Sequence, residues 1–121
     1  MKIEGSCRRV RIYIGEADRW HGQALFAAIV ERCRREGFAG ATVFRGIEGF
    51  GAHSRIHTAR ILQLSEDLPL VVEIVDTPER IERLLPLLDE MVQEGLVTVE
   101  DVHVLKYTAG SRPPAGSSPD S

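Results

Sequence analysis

From Arg8 to Gly15 the chain alternates. Val10, Ile12 and Ile14 fall on one side, and Arg9, Arg11 and Tyr13 on the other. Period two with one strongly apolar face predicts a strand. Glu16 to Arg19 is a polar turn, and Asp18 is positioned to cap a following helix. Leu25, Ala28, Ile29 and Cys33 then recur at helical spacing, with Glu31, Arg32, Arg34 and Arg35 on the wet side. Gly37 is placed to end that helix in a left-handed conformation.

Ala41 to Ile47 reads as a second strand, and Leu70 to Val75 as a third. The third is apolar on both sides except for Glu73, so it belongs inside a sheet. Between them Thr58 to Leu64 reads as a short returning strand and Ser65 to Asp67 as a turn. Thr77-Pro78-Glu79 is a helix start: the threonine caps, the proline fits the first turn, and the acid meets the positive end of the helix dipole. Ile81, Leu84, Leu85, Leu88, Met91 and Val92 form its buried stripe. Pro86 predicts a kink within it, and Gly95 predicts its end. Val97 to Tyr107 reads as the last strand, with Glu100-Asp101 interrupting the alternation as a bulge would.

Strand, helix, strand, strand, helix, strand with right-handed crossovers predicts an α+β fold. It is a ferredoxin-like βαββαβ sandwich, a four-stranded antiparallel sheet with two helices on one face. Residues 1–7 are a lead-in, 8–107 the domain, and 108–121, rich in Gly, Ser and Pro, a tail expected to be disordered. The sheet face away from the helices is expected to show Arg9, Arg11, Tyr13, Phe44, Val71, Glu73, Val75, His103, Leu105 and Tyr107. That surface is too apolar to stand in water, and it implies packing against further copies in a closed ring.

Composition narrows the function. At 121 residues, 43% hydrophobic and 27% charged, the chain suits one soluble globular domain. A formal net charge of -3 argues against a dedicated nucleic-acid binder. Cys7 and Cys33 form no CxxC pair and are expected as reduced thiols in the cytoplasm. No run of 18 apolar residues and no charged-then-apolar leader opens the chain, so it is expected neither to span a membrane nor to be exported. No GxSxG, HExxH, Walker A or GxGxxG context is present, and catalysis is not expected.

The chemistry concentrates in Gly46 to His57, where three glycines, two histidines and an arginine fall within twelve residues. This composition predicts a loop. Gly46, Gly49 and Gly51 permit positive φ and let backbone N–H groups converge on an anion. Arg45 and Arg55 are suited to phosphate, and Phe50 to stacking on a base. An alternative uses His53 and His57, spaced by four with Glu48 nearby, to hold a divalent metal. His21 is either a capping-region residue or part of a cleft, and His103 is expected at a subunit interface.

Ala41-Thr42-Val43-Phe44-Arg45-Gly46-Ile47-Glu48-Gly49-Phe50-Gly51, Leu68-Pro69 leading into Val72-Glu73-Ile74-Val75, Glu94-Gly95-Leu96-Val97-Thr98 and Val102-His103-Val104 together resemble the PII signalling superfamily. The likeness is strongest to its uncharacterised branch, domain of unknown function 190. It spans Arg8 to Tyr107. The resemblance implies a homotrimer whose inter-subunit clefts bind an adenine nucleotide at the base of the loop. The loop itself would regulate a partner such as a membrane transporter or channel. It carries Gly49, Phe50 and Gly51 over as ligand contacts, and Lys106 as the basic residue of the last strand. The full candidate set is Arg45, Gly46, Glu48, Gly49, Phe50, Gly51, Arg55 and Lys106. One departure matters: where PII proteins carry a glycine- and lysine-rich phosphate loop, this chain has Gln93 to Asp101, with one glycine, no lysine and three acids. That argues against ATP bound in the PII manner and leaves AMP, ADP, a cyclic nucleotide or another small anion as the ligand. The loop also lacks the tyrosine that some PII proteins have uridylylated. Trimeric copper-tolerance proteins share this fold, which is what the histidine alternative resembles.

Overall fold

The structure is a computed structural model that describes residues 2–50, 56–58 and 68–109. In chain order the elements are β1 (Gly5–Gly15), β2 (Arg19–Trp20), β3 (Gln23–Ala24), α1 (Leu25–Arg35), β4 (Thr42–Arg45), β5 (Glu48–Phe50), β6 (Ile56–Thr58), β7 (Pro69–Asp76), α2 (Pro78–Met91) and β8 (Leu96–Val104). Four strands form one antiparallel sheet in the order β4-β7-β1-β8. This is the predicted α+β, ferredoxin-like arrangement. β1 and β7 lie inside, β4 and β8 at the edges.

The even positions of β1 and β7 face the helices. Val10, Ile12, Val72 and Ile74 are at most 1% exposed and pack with Leu25, Ile29 and Cys33 of α1 and Ile81, Leu84 and Leu88 of α2. Burial of this apolar surface is the main term holding the layers together. Arg32, Arg34 and Arg35 occupy the last turn of α1, where cations meet the negative end of its dipole. Gly37 follows at φ +84, as expected. At the start of α2, the Thr77 hydroxyl accepts from the Arg80 N–H at 3.3 Å.

Among the described residues, one polar side chain is fully buried. Asp76, at 0% exposure, accepts the Ala39 N–H at 2.8 Å and the Thr77 N–H at 2.7 Å. It thereby joins the end of β7 to the segment entering β4 and to the α2 cap. Arg80 adds an ion pair at 3.7 Å. Buried carboxylates persist only when partnered in this way.

Several expectations are corrected. Asp18 does not cap α1. Ala24 takes the cap position without a side-chain bond, because the tiny β2–β3 hairpin intervenes. His21 and Gly22, both at positive φ, make its turn, as two-residue hairpins require. The Asp18 carboxylate instead accepts from the Gly15 N–H at 2.9 Å, closing the turn after β1. α2 ends at Met91, ahead of Gly95, with Pro86 inside it as expected. Gly95, at φ +151, sits where a Cβ would lie 2.7 Å from the Tyr13 carbonyl oxygen, so glycine is needed for backbone approach. No bulge occurs at Glu100-Asp101. The β1–β8 register is continuous from Gly5↔Val104 to Tyr13↔Leu96, and the two acids lie opposite Arg9 and Arg8. Cross-strand charge pairing replaces the interruption.

That register also changes the uncovered face. β8 contributes Leu96, Thr98, Glu100, Val102 and Val104 beside Arg9, Arg11 and Tyr13, rather than His103, Leu105 and Tyr107. His103 lies opposite Ser6 on the other face. Leu105 follows the strand, and the Tyr107 hydroxyl donates to the Ala39 carbonyl at 3.1 Å. Tyr13, Phe44 and Leu96 stand 38%, 51% and 55% exposed. Among them Arg11 bonds Glu73 at 2.9 Å and Arg9 bonds Glu100 at 2.6 Å. The bond from Arg9 holds the Glu100 carboxyl below its usual range, and the bond to Glu73 raises the Arg11 guanidinium above its own.

Candidate ligand site at the hairpin base

β4 leaves the sheet at Arg45, which is paired with Leu70. The next residue turns the chain across Pro69. The Gly46 N–H donates to the Pro69 carbonyl at 2.7 Å, and a Cβ on Gly46 would stand 2.9 Å from the Pro69 ring. Gly49 also lies against this ring, its Cβ position at 3.5 Å. The predicted loop is thus in part a small hairpin, β5 against β6, with Glu48, Gly49 and Phe50 opposite Thr58, His57 and Ile56. Gly46 and Gly49 are absent from the described glycines with positive φ. Gly46 serves close packing on a proline, where a Cβ would crowd the ring, and its N–H is committed to a carbonyl instead of being offered to an anion.

Arg45 is 60% exposed, and its guanidinium is ion-paired with Glu16 in the turn after β1. The Glu16 N–H donates to the Leu68 carbonyl at 2.8 Å, which fixes that turn beside β7. Three segments therefore meet at one end of the sheet: the β1 turn, the exit of β4 and the entry to β7. Glu48 is exposed at the start of β5, beside the exposed Ile47. Gly51, His53 and Arg55 lie outside the described residues, as do the stretch 59–67, which holds the rest of the expected return strand and its turn, and the tail from residue 110. His57 is placed by its backbone alone, opposite Gly49. Among the described residues no group of three or more His, Cys, Asp and Glu is arranged to hold a metal.

Lys106 is elsewhere. It lines a cleft of about 290 Å³ with Thr42, Glu73, Val75 and Tyr107. Thr42 is paired with Glu73, at the opposite end of β4 from Arg45. A single chain does not bring Lys106 to the hairpin base. A second cleft, of about 340 Å³, lies between the β2–β3 turn and the end of α2 and is lined by Asp18, Trp20, His21, Met91 and Glu94. His21 belongs to this cleft rather than to a helix cap, and its ring stacks on Trp20 at 3.9 Å between centroids.

Sequence reasoning missed Glu16 and Pro69, the two residues that fix the hairpin base. Pro69 had only an indirect signal, its place at the start of the third predicted strand. Glu16 had none, because its partner is 29 residues away. The two thiols are buried. Burial, with Glu36 and Asp76 adding to it, pushes Cys33 up to about 11, and burial also raises Cys7. Neither is poised as a nucleophile.

The split βαβ sheet is shared with a solved PII-like protein. The solved structure of CPII, a nitrogen regulatory PII-like protein from Thiomonas intermedia K12 bound to ADP, AMP and bicarbonate, superposes with a TM-score of 0.60. At 18% identity, the match covers 86% of this chain and 91% of that one. The family model DUF190, described as "Uncharacterized ACR", matches residues 7–104. The chain belongs to this family, also designated UPF0166. It is 39% identical over 98 residues to the UPF0166 protein MJ1524 of Methanocaldococcus jannaschii, covering 80% of this chain and 90% of that relative. It is 38% identical over 96 residues to a UPF0166 protein of Aquifex aeolicus, covering 79% and 90%.

Proposed function

We propose that the chain is a PII-like regulatory protein that binds AMP or ADP in clefts between the subunits of a homotrimer and transmits occupancy through the β5–β6 hairpin to a partner protein. The observation that carries this reading is the hairpin base. The β5–β6 hairpin is anchored on Pro69 with a solvent-accessible arginine beside it, on a fold that in CPII is bound to ADP and AMP. Arg45 supplies the charge-assisted bond to phosphate. The exposed Tyr13, Phe44 and Leu96 support assembly through the open sheet face. Assembly would also give Lys106 a route to a neighbouring subunit's hairpin base. Gly49, Phe50, Gly51, Glu48 and Arg55 complete the proposed contacts, and the reading assigns no catalysis. A transporter or channel as partner rests on resemblance alone. No helix among the described residues is long and apolar enough to cross a membrane, and the proposed setting is the cytoplasm.

Titration calorimetry with AMP, ADP and ATP, paired with light scattering for mass, tests the reading. The expected result is saturable binding of AMP or ADP by a particle of three chains. Arg45→Ala should weaken binding about tenfold or more, the scale of a hydrogen bond to a charged group. A monomer that takes up no nucleotide at millimolar concentration would overturn it.

A further inference from the structure

Arg45 already has an anion. Its guanidinium is held by the Glu16 carboxylate, and Glu16 is the less exposed of the two, at 26% against 60%. Its own backbone is fixed by the bond to the Leu68 carbonyl. The carboxylate is thus a tethered ligand for the same group that a phosphate would use. It is presented from the β1 turn, while Arg45 sits on the strand that carries the hairpin. Any phosphate reaching Arg45 must either displace Glu16 or share the guanidinium with it, and sharing places two anions side by side.

We infer that Glu16 is a built-in competitor for the phosphate-binding arginine, setting the affinity of the site and latching the exit of β4 to the β1 turn while the site is empty. The inference rests on Arg45 being a phosphate contact. Its chemistry is specific. A guanidinium keeps its charge throughout, so the switch is an exchange of one oxyanion for another with no proton moved. Phosphate occupancy frees Glu16 and removes the ion pair between the hairpin-bearing strand and the β1 turn, while the Gly46–Pro69 backbone bond to β7 remains as the pivot. An effector can thereby loosen the hairpin base without unfolding it, an electrostatic switch acting on a local element. Because both groups are partly solvated, the internal pair is a weak competitor, as exposed ion pairs are. The latch is therefore set to yield to a ligand.

The experiment is a double-mutant cycle on AMP affinity, using the full chain as wild type, Glu16→Gln, Arg45→Ala and the double variant. Glu16→Gln keeps the side chain's size and removes its charge, and it is expected to tighten AMP binding by about two- to fivefold at low salt, the scale of an exposed pair. In the Arg45→Ala background the same change should give little or no gain. If Arg45→Ala weakens AMP and Glu16→Gln binds it no tighter than wild type, the competition is overturned and the nucleotide reading stands. A Glu16→Gln gain of the same size in both backgrounds also overturns it, since that is general charge and not exchange at Arg45. If none of the four proteins binds AMP, the nucleotide reading falls and the competition falls with it. Glu16→Ala is run beside Glu16→Gln, so that a folding defect in one variant does not decide the outcome.

Discussion

The two faces of the sheet are made from the same strands by alternation, yet they are held by different physics. On the helix side Val10, Ile12, Val72 and Ile74 are sealed under α1 and α2. On the other, Tyr13, Phe44 and Leu96 remain in solvent around the Arg11–Glu73 and Arg9–Glu100 pairs. The closed face is a one-chain core whose energy is apolar burial. The open face mixes apolar side chains with paired charges, a composition suited to a surface that meets another copy. One chain alone completes the first, and in the proposed homotrimer another copy would cover the second. The difference shows which residues should govern folding and which should govern assembly.

The largest expected effect is on the closed face. Ile12→Ala should cost about 2–5 kcal/mol in urea unfolding, from lost transfer energy and the cavity left behind. Its neighbour Tyr13→Ala should cost the isolated subunit much less and instead shift the mass distribution seen by light scattering. Equal losses at both positions would erase the contrast between the faces. Next is Asp76→Ala, expected to cost about 2–3 kcal/mol, because two backbone N–H groups lose a buried charged acceptor. The same chemical unfolding measures it.

Gly46→Ala follows, at about 1–3 kcal/mol from overpacking against Pro69. Gly22→Ala, at the β2–β3 turn where a Cβ meets nothing, isolates a purely conformational cost for comparison. The smallest effect belongs to the open-face charges. The Glu100 carboxyl is held below its usual range by Arg9, so its contribution to stability is present above the range of an unfolded glutamate. It is lost as pH falls through the lowered folded value. Glu100→Gln should flatten the acid limb of the stability–pH curve and leave the neutral-to-alkaline limb shaped as before. Added salt should shrink the difference.

Much of the fold was legible because it is written in local periodicity. The alternation of β1, the stripes of both helices and the Thr77-Pro78-Glu79 start all survive as read. What was misplaced needed a partner strand to see. Glu100-Asp101 looks like an interruption until Arg9 and Arg8 stand opposite. Asp18 looks like a helix cap until a six-residue hairpin, residues 19–24, takes the chain past it. At the site, Arg45, Gly46 and Gly49 were picked out by composition, but their roles came from contact. Gly46, which suggested an anion nest, gives clearance to a proline ring and commits its N–H to a carbonyl.

The sequence by itself determined the order of the four sheet strands and two helices, the closed core and the stretch singled out as the candidate ligand site, because residue type and period along one strand or helix specify these. Only the tertiary structure decided which charges pair and what holds the hairpin base. It also decided that Lys106 and Arg45 stand at opposite ends of β4. These are relations between residues far apart in the chain, fixed by register and burial. For the same reason the Glu16–Arg45 pair appears only once the β1 turn and the exit of β4 are brought side by side.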